Sequence, residues 1–395
     1  MQFIHSREIV CSSGNYGNYG VFGIKDVLIE VLCRLPPNIL MQCSCVCKLW
    51  YVLIHRYCVP RITPSLPFLG CVVRIKASST DTVIDRAVIP GEYDFDAFPP
   101  VFNLPVGDSG DVSLSAEHFL DSRGGLMLYR HPSEKEFVVW NPLSQKMLLV
   151  NWPGQKPESF AVLAVDIRNW KAERGMDMFK IISFPENNGI LNVFCSYNWT
   201  WVERKVICVD CCGRRPIGCD TYTLDKSFVY LKGELFSLCY SDTLLLRLSI
   251  GDGDDDVVFN FCSLPNSGTN VGCLGSCGER IQYVENNTAS RSMQIWEMDL
   301  DAHTWTQIYN FRLRVLREHP ELIGFRVVRG KFKPLALDPV SGDGVIIWTP
   351  NLIFCYYYKS NHLIRMHCSD AFFDALTKHP PPDDAFVVTR CLAVL

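Results

Sequence analysis

The chain has 395 residues, of which 48% are hydrophobic and 20% charged, and its formal net charge is −4. This balance is that of a globular protein with a large core, and it excludes an intrinsically disordered chain. The pI near 6.1 argues against an extended nucleic-acid-binding surface, so we expect no nucleic-acid partner.

The first segment, residues 1–22, is rich in Gly, Asn and Tyr and predicts a flexible leader. It lacks the basic region, the apolar run and the cleavage site of a signal peptide. We therefore expect the nineteen cysteines to be reduced, with no native disulfide. No apolar run is long enough to cross a bilayer, which predicts an intracellular soluble protein of the nucleus, the cytoplasm or both, without membrane contact.

Helical periodicity occupies the next segment, residues 23–58. Asp26 is suited to cap a first helix, and Asn38 a second one, because their side chains accept hydrogen bonds from free N–H groups. Pro36 and Pro37 separate the two helices, since proline removes a donor and clashes with the preceding turn. A segment this short cannot bury both of its apolar sides alone. We therefore expect another protein to cover part of its surface.

The order of residues in this segment resembles the F-box family. The resemblance is carried by the helix that Asp26 opens, by Arg34-Leu35-Pro36 and by Val46-Cys47-Lys48-Leu49-Trp50. It implies a small three-helix module that binds the Skp-type adaptor of a cullin ubiquitin ligase. The family usually opens with Leu-Pro where this chain has Gly23-Ile24, and that pair normally joins the adaptor contact, so we expect weaker binding. The alternative is an ordinary helical hairpin that seals the remainder of the chain.

The same resemblance implies which side chains contact the adaptor. Leu35 and Pro36 stand at the break between the helices. Five others are expected to share their surface: Ile24, Val27, Val31, Cys47 and Trp50. For Trp50 the alternative is a place in the core of the helical module.

A second, larger domain is predicted after a linker at 59–67, which Pro60, Pro64 and Pro67 mark. From 68 to 395, short apolar stretches alternate with Gly, Asn, Asp and Pro, which is typical of all-β structure. The stretches repeat as a Gly-led strand, a polar turn and a second apolar strand, at 124–141, 233–248, 279–298 and 345–357. Such pairs form the middle of four-stranded blades, and repeats of about 40–50 residues predict a β-propeller of about six or seven blades.

This second part is also similar to the plant F-box-associated domain, which is related to kelch propellers. The likeness covers about 115–360, and its motifs are Gly125-Leu126, Trp140-Asn141-Pro142, Lys232-Gly233-Glu234-Leu235, Ile295-Trp296-Glu297-Met298 with Trp305, and Pro334-Leu335-Ala336-Leu337-Asp338-Pro339. The resemblance implies a kelch-like β-propeller. Another β-sandwich or barrel is the alternative.

Few residues are spaced for catalysis or metal binding. Cys208, Cys211, Cys212 and Cys219 could offer thiolates to zinc, but no second pair and no His follow at a suitable spacing, which favours buried or edge-strand thiols. The acidic run 252–256 lacks the Gly and the Glu of a calcium loop. No hydrolase, metalloprotease or nucleotide-binding motif occurs. We expect no catalytic residue, no metal and no cofactor.

Three residues are candidates for contact with a target protein. Trp199 and Trp201 belong to an aromatic-rich stretch and Asp254 to the acidic run, and loops between strands commonly carry recognition residues. For both tryptophans the alternative is packing between blades.

These features predict a substrate receptor of an SCF-type cullin ubiquitin ligase. The helical module would bind the Skp-type adaptor and, through it, the cullin scaffold, while the propeller would bind an unknown target for ubiquitination. One alternative is a propeller enzyme, such as an oxidase or glycoside hydrolase, which would need carboxylates or metal ligands converging on one face. The other is a receptor for a sugar or other small ligand on the same scaffold.

Overall fold

The computed structural model describes residues 21–35, 37–44, 46–62, 68–76, 82–88, 118–132, 135–141, 146–152, 161–165, 179–184, 190–208, 228–239, 244–250, 256–265, 272–323, 331–350, 352–368 and 384–389. The chain divides into two compact units, Met1–Ile62 and Thr63–Leu395, which we call the helical unit and the β unit. Among the described residues, no helix combines the length and the hydropathy needed to cross a bilayer.

The helical unit contains three helical segments, as predicted. They are α1 (Val21–Leu32), α2 (Pro37–Cys43) and a third segment that runs from α3 (Lys48–Leu53) through a π-helical turn (Ile54–Cys58) into α4 (Val59–Ile62). Two predicted caps are wrong. Asp26 lies inside α1, because no helix-breaking proline stands between it and Val21 and an established helix propagates easily. Asn38 lies inside α2, which begins at Pro37, since proline suits the first helical position.

The predicted linker at 59–67 is helical in its first part, because α4 occupies Val59–Ile62. Pro60 has no N–H group for the helical hydrogen bond to the preceding turn. A π-helical turn, Ile54–Cys58, directly precedes α4. Prolines and π-helical turns are both places where helices commonly change direction. Residues 63–67, with Pro64 and Pro67, lie outside the described residues.

The core of the helical unit lies between α1 and the third segment, and its buried side chains are those of Ile29, Leu32, Leu40, Leu53, Ile54 and Cys58. The Sγ of Cys58 donates a hydrogen bond to the carbonyl oxygen of Ile29, 3.9 Å away. Burial, reinforced by the neighbouring Cys33, raises the pKa of the Cys58 thiol to about 12, so it remains a protonated donor at neutral pH. Nearby, Lys25 Nζ donates to the hydroxyl of Tyr57 at 3.0 Å.

The β unit begins with β1 (Phe68–Lys76) and β2 (Thr82–Val88) and continues with five antiparallel meanders of four strands, which we number in chain order. Sheet 1 contains β3 (Phe119–Arg123), β4 (Leu126–Arg130), β5 (Glu136–Asn141) and β6 (Lys146–Asn151). Sheet 2 contains β7 (Ala161–Val165), β8 (Phe179–Ser183), β9 (Ile190–Cys195) and β10 (Thr200–Cys208). Sheet 3 contains β11 (Val229–Leu231), β12 (Glu234–Cys239), β13 (Leu244–Ser249) and β14 (Val257–Ser263).

The remaining strands form two further meanders and a sheet that joins both ends of the β unit. Sheet 4 contains β15 (Gly272–Cys277), β16 (Arg280–Asn287), β17 (Ser292–Asp299) and β18 (Thr304–Arg312), and is followed by α5 (Leu313–Arg317) and a 3-10 turn (Pro320–Leu322). Sheet 5 contains β19 (Lys333–Leu337), β20 (Gly344–Thr349), β21 (Leu352–Tyr357) and β22 (His362–Arg365). The last of the described strands, β23 (Asp384–Thr389), pairs with β1, and the order β2-β1-β23 defines the closing sheet.

The first strands of most neighbouring meanders contact each other around a ring, and sheets 2 and 3 share a buried apolar cluster. β3 contacts β7, β11 contacts β15, β15 contacts β19, and β23 contacts both β19 and β3. Sheets 2 and 3 are joined by parallel pairing of their outer strands, β10 and β14. The six sheets of the described residues therefore follow one another in a closed ring, the arrangement of a β-propeller. The predicted total of six or seven blades and the kelch-like identity of the blades stay predictions.

Every meander has neighbours on both of its faces, which explains the continuous apolar runs in the sequence. All six residues of β20 are buried. Val345 and Ile347 pack toward sheet 4, whereas Ile346 and Trp348 pack toward the closing sheet, as the twofold periodicity of a strand requires. Burying one such aliphatic side chain stabilises the fold by about 1.5–3 kcal/mol. The packing between blades therefore contributes substantially to the stability of the β unit.

The Gly-led repeats correspond to the two middle strands of sheets 1, 3, 4 and 5, as predicted. In sheets 1 and 3 the glycine belongs to the two-residue turn that precedes β4 or β12, the second strand of the sheet. Gly124 and Gly125 have φ of 54° and 78°, and Lys232 and Gly233 have φ of 52° and 82°. Two-residue hairpin turns of this kind need positive φ at both positions, which is why glycine marks them in the sequence.

Candidate functional site

The helical unit exposes an unusual number of large apolar side chains. Val27 and Val31, one turn apart on α1, are 64% and 54% exposed. Five more belong to the rest of the unit, and together with these two valines they define what we call the apolar surface: Ile39, Val46, Leu49, Tyr51 and Val52. Concentrations of exposed apolar residues mark sites where another macromolecule binds.

The exposure of Val27 and Val31 follows from the pattern of α1, which is apolar on two sides. Ile29 and Leu32 point to the core of the unit and are buried. Residues four positions apart lie on the same side of a helix, so Val27 and Val31 form a second stripe that no described part of the unit covers. The exposed ion pair between Glu30 and Arg61, 2.7 Å apart, joins α1 to α4 beside this stripe.

Cys47 determines where α3 begins. Its backbone is extended (φ −161°, ψ 166°), and its Sγ accepts a hydrogen bond from the N–H of Trp50 at 3.5 Å. The side chain of Cys47 is exposed. With this start, the side chain of Leu53 lies in the core, and those of Leu49 and Val52 are exposed. The side chain of Trp50 is half-buried.

The predicted adaptor contacts fall into three groups. Val27, Val31 and Cys47 are exposed, and Leu35 and Trp50 are half-buried. Pro36 lies outside the described residues, and so does the side chain of Ile24, although Ile24 belongs to α1. Contact of these residues with an adaptor stays a prediction.

Five members of the apolar surface are absent from the predicted contacts: Ile39, Val46, Leu49, Tyr51 and Val52. For Leu49, Tyr51 and Val52 a signal exists in the sequence of α3, in which every residue after Lys48 is apolar or aromatic. A helix of this composition in a small unit cannot bury its whole circumference.

Trp201 packs between blades and does not lie in a loop, which corrects its predicted place. It belongs to β10, and its Nε1 donates a hydrogen bond to the carbonyl oxygen of Asn151 at 2.7 Å. Its ring lies 4.9 Å from that of Trp152 and 5.3 Å from that of Phe194, measured between centroids. These contacts support the packing alternative for Trp201.

Trp199 is 53% exposed and stays a candidate for target contact. It is the last residue of the four-residue loop between β9 and β10, with φ of 58°, and its ring meets that of Phe194 edge-on at 5.2 Å. Arg291, His303 and Asn361 hold the same position in other four-residue loops, with φ of 52°, 54° and 53°. The backbone of this loop therefore does not require a tryptophan. Asp254, the third candidate, lies outside the described residues.

The described residues offer no group of three or more His, Cys, Asp or Glu side chains that could hold a metal ion. The buried carboxylate of Asp121 has a structural role, because it accepts hydrogen bonds from the N–H groups of Ser122 (2.8 Å) and Leu163 (2.9 Å) and so ties β3 to β7. Burial raises the pKa of Asp121, against the opposing charge of Arg123. Cys211, Cys212 and Cys219 lie outside the described residues, as does the side chain of Cys208, and the absence of a metal stays a prediction.

Several solved structures are similar to the chain at low sequence identity. They include a protein from Lactobacillus plantarum (12% identity, 76% of this chain and 82% of that one), the Cps50 (Swd1) β-propeller domain of Myceliophteria thermophila (14%, 76% and 87%) and YCF48 bound to D1 peptide (10%, 83% and 91%). Each has a TM-score of 0.39, so the assignment of a β-propeller rests on the order and the contacts of the sheets themselves.

Residues 25–61 match the F-box domain family, and this range contains most of the helical unit, including its whole apolar surface. An F-box protein of Arabidopsis thaliana is 24% identical over 203 residues, which are 48% of this chain and 47% of that protein. The chain thus spans about half the length of the curated relative that it matches. The helical unit therefore contains an F-box domain, and a plant F-box protein is among the relatives of the chain.

Proposed function

We propose that this protein is the substrate-recognition subunit of an SCF-type cullin ubiquitin ligase. Its F-box domain binds a Skp-type adaptor, which connects it to the cullin, and its β-propeller binds the target protein. The observation that carries the proposal is the apolar surface within residues 25–61, with Val27 and Val31 more than half exposed. F-box domains in general act as the adaptor-binding modules of SCF complexes.

The size of the exposed side chains supports a protein partner. Complete burial of one valine or leucine contributes about 1.5–3 kcal/mol, so covering only part of the apolar surface yields a substantial binding energy. In the free F-box domain the exposed parts of these side chains, from 39% for Ile39 to 66% for Val46, contact water. A small number of such side chains normally supplies most of the affinity of a protein interface.

The role needs no catalytic residue in this chain. Transfer of ubiquitin takes place elsewhere in the assembly, and the receptor raises its rate by holding the target near the reacting groups. In the β-propeller the loops between strands are suited to contact the target, because they change in sequence without disturbing the buried blades. Of the two predicted target contacts that the structure describes, Trp199 and Trp201, Trp199 is the more exposed.

The experiment compares adaptor binding by two variants of the full chain. The first replaces Val27 and Val31 by Asp, and the second replaces Val315, an exposed valine of α5 in the β unit, by Asp as a matched control. Each change alters an exposed position, so circular dichroism and the melting temperature should stay close to wild type. Calorimetry with a purified Skp-type adaptor should give an affinity at least about 30-fold lower for the first variant, since loss of a central anchor costs about 2 kcal/mol or more.

The control variant should bind the adaptor with wild-type affinity. If the folded Val27→Asp, Val31→Asp variant also binds like wild type, the apolar surface is not the adaptor site and the proposal fails.

A further inference from the structure

The outermost strand of sheet 4, β18, is unusual among the outer strands of the propeller. It is nine residues long, and in the described part of the chain it pairs with β17 alone. The outer strands of sheets 2 and 3, β10 and β14, pair with each other, whereas β6 and β22 have six and four residues. β18 thus presents the longest outer edge that no described strand covers.

An uncovered edge offers free N–H and C=O groups to another strand, and proteins usually protect it with charged side chains. β18 has no charged side chain before its last residue, Arg312. Its centre is apolar and exposed, with Ile308 at 38% and Tyr309 next to it. Ile308 is also the extra residue of a bulge, because Gln307 pairs with Trp296 and Tyr309 pairs with Ile295.

The two ends of β18 carry opposite charges. The turn before it exposes Asp299 and Asp301, and the N–H groups of Asp301 and Ala302 donate to Asp299 Oδ1 at 2.9 Å. These bonds lower the pKa of Asp299 and hold its carboxylate in the charged form. At the other end, Arg312 and Arg291 are exposed and close together, because Leu313 N donates to the carbonyl oxygen of Arg291 at 3.0 Å.

We propose that two copies of this chain pair through β18, edge to edge and antiparallel, about a twofold axis at Ile308. In this arrangement Arg312 of each copy lies beside Thr304 and the acidic turn of the other copy, so opposite charges meet at both ends. Parallel pairing would bring like charges together. A twofold axis is the commonest symmetry of homodimers, and it uses the same surface patch twice. The proposal is independent of adaptor binding, because β18 belongs to the β unit.

The bulge divides β18 into two halves, 304–307 and 309–312. In the proposed dimer, 304–307 of one copy pairs with 309–312 of the other, and the reverse. A contact made by one strand from each copy is small, and interfaces below roughly 1,200 Å² are weak and transient. We therefore expect a dimer that forms with micromolar affinity and dissociates on dilution.

Because position 308 faces itself across the axis, one substitution tests both the surface and the symmetry. Sedimentation equilibrium of the full chain, at concentrations from about 1 to 100 μM, would compare wild type, Ile308→Lys, Ile308→Glu and an equal mixture of the two variants. The control is Leu149→Lys, the same kind of change on β6 of sheet 1, where the leucine is 41% exposed. Melting temperatures would show that all variants are folded.

The expected result is a concentration-dependent dimer for wild type and for Leu149→Lys. Each Ile308 variant alone should stay monomeric, because like charges face each other, and the mixture should dimerise, because Lys then faces Glu. Three outcomes would overturn the proposal: a wild-type chain that is monomeric throughout, an Ile308→Lys variant that dimerises like wild type, or a mixture that remains monomeric.

Discussion

Trp201 Nε1 and the carbonyl oxygen of Asn151 are joined by a hydrogen bond of 2.7 Å that runs from sheet 2 to sheet 1. The indole of Trp201 also contacts the rings of Phe137, which belongs to β5 of sheet 1, and of Trp152, which directly follows β6 of the same sheet. Trp199, two residues earlier, touches only Phe194 among the ring contacts of the described residues, and it leaves half of its surface in water. The two tryptophans therefore have different roles.

We expect Trp201→Ala to lower the free energy of unfolding by about 3 kcal/mol, near the low end for loss of a large aromatic side chain, because Trp201 is only half-buried. Trp199→Ala should change it by less than about 1 kcal/mol, because most of the lost contacts are with water. Denaturant unfolding followed by circular dichroism measures both values. Equal destabilisation by the two changes would contradict these roles.

Trp199→Asn should weaken capture of the target while the fold is preserved. Asn adopts positive φ more readily than Trp, and Asn361 already holds this loop position in sheet 5, so stability should be unchanged or higher. Proximity labelling in cells with the full chain would compare the proteins found near each variant. His303→Asn, at the same position of the loop between β17 and β18, is the control and should keep the wild-type set. If Trp199→Asn keeps that set as well, Trp199 is not a target contact.

The fragment 63–395 should fold and keep its targets but lose the adaptor and the cullin. The division of the chain between Ile62 and Thr63, and the closure of the propeller by β1 and β23, both support an independent β unit. A single cooperative melting transition would show that the fragment is folded. If the folded fragment loses the targets together with the adaptor, target recognition does not reside in the propeller.

The purified protein should contain no stoichiometric metal. This follows from the sequence around Cys208 and Cys211, where no second pair of cysteines and no His stands at a spacing suited to zinc. Elemental analysis after gel filtration measures the zinc content. One zinc per chain that is lost in Cys208→Ser or Cys211→Ser would refute the prediction.

The parts of the fold that depend on local chemistry were predictable from the sequence. The break between α1 and α2 falls just before Pro37, which suits the first position of a helix. Gly125 and Gly233 mark tight turns because few other residues accept positive φ at low cost. The parallel pairing of β10 with β14 was not predictable, because no local pattern specifies a partner so distant in the sequence. The start of α1 was missed because a helix can extend beyond a good capping residue when nothing stops it.

The candidate site shows the same division. The identities around Arg34-Leu35-Pro36 and Val46-Cys47 led to the correct family, whereas the exposure of Leu49 and Val52 required the direction of α3 relative to its core. Trp199 and Trp201 look alike in the sequence. They differ in their place in the structure: Trp199 is the last residue of a loop and has an exposed ring, whereas Trp201 lies in β10 and has a packed ring.

The closing sheet also determines when the protein can become mature during its synthesis. β23 leaves the ribosome after the other strands of the described residues, so β1 lacks this partner until Asp384–Thr389 have been translated. The F-box domain depends on contacts between residues close in sequence, and such contacts form quickly. A nascent chain therefore carries a folded F-box domain together with an incomplete ring of sheets. The unpaired edge of β1 in this state is prone to aggregation and to binding by chaperones. A premature stop before Asp384 would leave the chain in that state permanently, because it would remove the strand that pairs with β1.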